Sequence, residues 1–227
     1  MTKDEKIAKL GKEITDRATV LLGKDKITPD APEYLGINSA LKFTAVKYDE
    51  KMADDILDIA LTMKKRVPLT IEQLAKKNPQ FNRAYLEKAL QALSESGLVE
   101  FHWENLDGKN PNHEKRWVLD MFVPGSAEIM MINPEQSDMF PETADFFERM
   151  AYLPLAGITE MVPPGGAGIG MHVIPVEKAI PAESKSLPIE HLSHWLKKYD
   201  KFAVGVCSCR RSHPRPHACS RCCSCRR

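Results

Sequence analysis

Between Tyr48 and Val123 the sequence carries three helical segments with their own start and stop signals, then two strand-like runs. Tyr48–Lys65 places Met52, Ile56, Ile59, Ala60 and Met63 on one face at helical spacing, and Pro68 breaks it. Thr70 then caps a short helix, Ile71–Lys77, which ends at Asn78-Pro79. Asn82 caps a third, Arg83–Ser96, with Leu86, Ala89, Leu90 and Leu93 inward and Gly97 as the residue that turns the chain out. Leu98–Trp103 and Lys115–Val123 read as strands, joined by the turn-rich stretch Glu104–Glu114. Three helices followed by a two-stranded hairpin is the order of a winged helix-turn-helix.

The flanks are less regular. Ile7, Leu10, Ile14, Ala18, Leu21 and Leu22 predict a helix over 3–22, stopped at Gly23. Lys24–Gly36, with Pro29 and Pro32, reads as a connector, and Leu35–Val46 as a short further helix. After Pro124-Gly125 the pattern predicts helices over Ser126–Asn133, Glu142–Tyr152 and Pro188–Tyr199, the last with Leu192, Trp195 and Leu196 inward. Val162–Gly170 reads as a loop, Met171–Val176 as a strand and Phe202–Val206 as a buried strand. The fold class expected is α+β. It comprises an N-terminal helical segment (1–46), a winged helix (47–124), a small α/β segment (125–206) and a Cys/Arg-rich tail (207–227). The first residues are charged and the apolar stretches short, so no targeting or membrane-spanning segment is read and a cytoplasmic location is expected.

A winged helix raises the question of DNA, and charge argues against it. Residues 47–123 hold 12 Lys and Arg against 13 Asp and Glu, and the third helix offsets Arg83 and Lys88 with Glu87 and Glu95. Non-specific duplex affinity comes from neutralising phosphates, and this module has no surplus charge to do it, although Lys64, Lys65, Arg66, Lys76 and Lys77 could form a local patch. The glycines at 165, 166, 168 and 170 follow two prolines and precede a β-like stretch, which is the wrong context for a phosphate loop. His191 and His194 share a helix face but have no evident acidic or Cys partner, and His102 and His113 could meet across the hairpin; all four read as incidental. No catalytic triad is read.

The last 21 residues differ in kind. They contain all six cysteines, six arginines and no acid, so the overall charge of +1 hides a net of −5 over residues 1–206. Cys207 and Cys209 follow an apolar run, and thiolates two apart on a loop suit an iron–sulfur cluster or zinc. Cys219 and Cys222 have metal-like spacing, and the four together would make a four-thiolate site. Nothing larger than Ala is present to pack a core between them beyond Cys, Arg, Ser, His and Pro. The tail is therefore expected to be disordered unless a metal organises it, and residues 1–206 to fold without it. The abrupt change after Ser212 also reads as translation out of frame over residues 213–227.

The segments Met161–Pro164, Val173–Val176, Pro188–Leu192 and above all Phe202–Ser212, with its Cys207-Ser208-Cys209-Arg210-Arg211, carry a resemblance. From about Tyr48 to Arg211 the chain resembles the N-terminal region of cytoplasmic 4Fe-4S ferredoxin-type proteins and iron–sulfur flavin pyridine-nucleotide oxidoreductases of anaerobic bacteria. The resemblance implies electron transfer, with Cys207 and Cys209 as ligands of a 4Fe-4S cluster and the winged helix as a docking module. It also implies a redox partner protein or a further flavin/ferredoxin module beyond this sequence. The function expected is that of an N-terminal portion or accessory subunit of such an oxidoreductase, not a complete enzyme alone. The alternative is a winged-helix DNA-binding regulator with a metal-sensing cysteine tail and zinc as its metal.

Overall fold

The computed structural model describes residues 1–14, 27–105, 108–121, 125–145, 147–148, 192–202 and 205–212, with 192, 209 and 210 described by backbone alone. Met1–Ile158 with Val206–Arg227 form one compact unit and Thr159–Gly205 a second. The architecture of the first unit is α+β: mainly helices, with a small antiparallel sheet.

Helix α1 (Lys3–Ile14) starts at a reciprocal cap. The Thr2 hydroxyl accepts the N–H of Glu5 at 3.2 Å, and the Glu5 carboxylate accepts that of Thr2 at 2.8 Å. Ile7, Leu10 and Ile14 point into the core as their spacing predicted; residues 15–22 of the expected helix lie outside the described residues. Helix α2 (Pro32–Lys47) corrects the expectation of a connector up to Gly36. Pro32 opens the helix, because the first turn needs no N–H there and the ring already holds the helical φ. Its buried residues include Gly36, Ile37, Ser39, Leu41 and Phe43, which lie around the helix and leave no polar stripe for periodicity to reveal.

Helix α3 (Glu50–Leu61) is shorter than Tyr48–Lys65, because Asp49 caps it by accepting the N–H of Met52. Helix α4 (Ile71–Lys77) has a full capping box between Thr70 and Gln73. Helix α5 (Arg83–Glu95) begins at Asn82, which accepts the N–H of Tyr85 at 2.8 Å. Gly97 then takes φ +80, and a Cβ there would lie 2.9 Å from Met130 Cγ, so both backbone and space require glycine.

Strand β1 (Val99–His102) pairs antiparallel with β2 (Arg116–Leu119), matching Val99 to Leu119 and Phe101 to Trp117. Both strands are shorter than the apolar runs suggested. Leu69 adds a rung on the other edge of β2: its N–H donates to Trp117 O and its O accepts from Trp117 N, each at 2.9 Å. One hydrophobic core joins α1, α2, α3 and α5 to Val99, Trp117, Leu119, Met130 and Phe147.

Helix α6 (Ala127–Ile132) agrees with the expected segment. Helix α7 (Pro134–Met139) was not foreseen: Asn133 ends α6 and caps α7 through Glu135 and Gln136 N–H, with Pro134 as first residue. Of Glu142–Tyr152, residues 142–145 and 147–148 are helical and the rest lie outside the described residues. Ser39 and Thr143 hydroxyls bond at 2.6 Å, tying that stretch to α2.

In the second unit, α8 (Leu192–Leu196) lies within the expected Pro188–Tyr199, but Leu196 is 49% exposed instead of inward. The loop over Val162–Gly170 and the strand over Met171–Val176 lie outside the described residues. The strand expected over Phe202–Val206 is not found at its described residues. Phe202 and Val206 are exposed, not buried as that strand required. Helix α9 (Ser208–Ser212) follows, so the described part of the tail is helical after Cys207. Among the described residues no helix is long and apolar enough to cross a membrane.

Candidate functional site: the Cys-x-Cys segment and the hairpin

Cys207 lies immediately before α9 as an exposed, free thiol. Cys209 lies in the second position of α9, so the pair spans the start of a helical turn and not a loop. The turn is closed by the Arg211 N–H donating to Cys207 O at 3.0 Å. Two side chains then hold the segment to α7 and to Glu148. The Arg211 guanidinium donates to Ser137 Oγ at 2.6 Å, to Asp138 Oδ1 at 2.6 Å and to Pro134 O at 3.1 Å, all on α7. Ser212, buried, donates its hydroxyl to Glu148 Oε1. A bidentate-capable fork on a carboxylate and a carbonyl fixes direction as well as position. Cys207 is thereby presented at the surface on a segment anchored one helical turn away.

The Cys207-x-Cys209 spacing offers two of the four thiolates that a cluster takes. Cys219 and Cys222, the other two expected ligands, lie outside the described residues, as do His191, the glycine run and residues 213–227. Among the described residues no three His, Cys, Asp or Glu side chains gather closely enough to hold a metal ion. His194 is exposed, edge-on to Trp195. His102 pairs in register with Arg116, with its Nδ1 3.5 Å from Glu104, while the His113 Nδ1 faces Trp103 O at 3.1 Å.

The hairpin and α5 form the surface that a winged helix would use on DNA. Its cations are already engaged. Arg83 pairs with Glu72 at 2.8 Å and Glu87 at 3.2 Å. Lys115 lies over the rings of Phe101 and Trp117, at 3.9 and 4.0 Å from their centroids, and burial lowers its pKa. The concave surface beside them, about 570 Å³, is lined by Glu72, Glu87 and Glu114 as well as by those two cations. Two cations of the basic patch read from the sequence are engaged: Lys64 pairs with Glu13 at 3.7 Å, and Lys77 donates to Thr62 O at 3.0 Å.

The opposite face of the hairpin holds a second concavity that the sequence did not reveal. Asp120, Glu100 and Glu128 line it, with Arg66 and His102. Asp120 is 6% exposed. Burial, reinforced by the nearby Glu100 charge, pushes its pKa up to about 7. Burial also raises that of Glu128. The only sequence signal was a carboxylate between Leu119 and Met121, where strand alternation puts Asp120 on the face of Val118.

No family model, curated protein or solved structure matches the chain.

Proposed function

We propose that α3, the Leu69 rung, α4, α5 and the β1–β2 hairpin are a winged helix that docks protein and does not read DNA, within an iron–sulfur electron-transfer oxidoreductase system. Cys207 and Cys209 are its first two cluster ligands, and Cys219 and Cys222 the candidates for the others. A bound cluster would supply one-electron transfer; the protein's part is to position it. The observation that carries this reading is the anchoring of α9. Arg211 and Ser212 are spent on holding Cys207-Ser208-Cys209 against α7, an arrangement with a use if the thiols ligate and none if the segment is a solvated tail. The neutralised cations of α5 and the hairpin favour docking over duplex binding.

The test pairs two measurements on anaerobically purified full chain. The docking reading predicts a broad visible thiolate-to-iron absorption and no sub-micromolar binding of generic duplex at physiological salt. A colourless protein that binds duplex with a steep salt dependence would replace it with the regulator reading.

A further inference from the structure

The hairpin face opposite Val99 and Leu119 bounds a pocket of about 530 Å³ that the docking reading leaves unused. Its defining group is the Asp120 carboxylate. Oδ1 accepts the Met121 N–H at 2.9 Å, while Oδ2 is buried and has no hydrogen-bond partner. A buried carboxylate oxygen left without a partner is among the costlier features a fold retains. Gly125, at φ +156, passes directly over it, and a Cβ there would lie 2.6 Å from Oδ1 and 2.9 Å from Oδ2. Arg66, on the rim, takes φ +59 to reach this wall, with its N–H on Leu119 O at 3.0 Å. Two unusual backbone conformations and one orphaned carboxylate thus converge on a single concavity.

The remaining wall decides the chemistry. Glu100 and Glu128 add two carboxylates, which outweigh the Arg66 cation, and His102 completes the polar side. Pro68, Val118 and Ile129 supply an apolar side suited to methylene groups. Among the described residues the acids do not converge as a metal would require. We propose that this pocket binds an alkylammonium group, its charge set against Asp120 and Glu100 and its methylenes against Pro68, Val118 and Ile129. The group belongs either to a free amine or to a lysine side chain of a partner, and the chemistry recognised is the same.

The test is isothermal titration of the full chain with diaminobutane and, separately, with a short peptide whose only cation is one lysine. It is run above neutral pH, where Asp120 is ionised and the amine still protonated. Saturable binding of either probe is expected, weakened about tenfold in Glu100→Gln and in Asp120→Asn. The diamine alone binding identifies a free amine as the source, and the peptide alone a partner's side chain. Glu100 is exposed, so its variant keeps the fold and carries the test if the Asp120 variant does not. Failure of both probes to saturate, equal binding by wild type and Glu100→Gln, or saturable binding of calcium ion in their place overturns the proposal. None of these outcomes depends on whether a cluster is held at Cys207.

Discussion

Asp120 shows how much one side chain sets in this molecule. Its folded-state pKa, about 7, lies above the unfolded value of 3.8. The folded protein therefore keeps a proton between those values that the unfolded chain has lost, and stability falls as pH rises through that window, then levels off above about 7. Glu128, raised by burial, acts in the same direction. Chemical denaturation at a series of pH values should show this decline, and Asp120→Asn should remove most of it. The variant should gain up to about 4 kcal/mol relative to wild type on going from the acid to the alkaline end of the window. Parallel pH profiles for the two proteins would exclude Asp120 as the group responsible. Gly97 gives the second prediction at this scale. Ala at φ +80, with its Cβ 2.9 Å from Met130 Cγ, should cost about 1–3 kcal/mol in thermal unfolding.

At the scale of elements, local chemistry that closes on itself was legible and chemistry that depends on a distant partner was not. Thr70 and Asn82 announce α4 and α5 because a cap, its acceptor and its donor lie within three residues. The dipeptide Asn-Pro was ambiguous. Asn78 ends α4, its side-chain amide donating to Leu74 O and Thr62 Oγ, while Asn133 ends α6 and starts α7 in the same position relative to its proline. Helix α2 was read over Leu35–Val46, but its first turn was taken for connector, because a helix surrounded by core has no polar face to carry the pattern back to Pro32. The Cys-x-Cys pair was readable from spacing, but its anchor was not: Arg211 reaches α7 across more than 70 residues of chain. That anchor gives the expectation that residues 1–206 fold without the tail a measurable form. Truncation after Val206 leaves Ser137, Asp138 and Glu148 without these partners and should cost about 1–3 kcal/mol. Arg211→Ala should reproduce part of that loss and speed amide exchange in α9. Exchange unchanged from wild type would mean that the guanidinium does not hold the helix.

For the whole molecule, the first unit places two surfaces on one core. The α5–hairpin surface has its cations tied to Glu72, Glu87 and the Phe101–Trp117 rings, and the α6–α7 side carries α9 with Cys207. The expectation of metal-competent thiols and of no membrane span rested on counting residues. The proposed division between a docking head and a Cys-x-Cys segment rests on contacts far apart in sequence, such as Arg211 with Asp138 at 2.6 Å. Spacing alone suggests four thiolates, but Cys219 and Cys222 share their stretch of chain with no residue able to build a core, so a cluster held here should be labile.

The central claim is that Cys207 and Cys209 ligate iron. Its most direct measurement is low-temperature EPR of the dithionite-reduced full chain after anaerobic reconstitution with iron and sulfide and desalting, beside the Cys207→Ser, Cys209→Ser double variant. The account predicts a substoichiometric reduced-cluster signal in the full chain, with matching iron and sulfide content, and its loss in the double variant. A signal and iron content that survive removal of both thiols would contradict it.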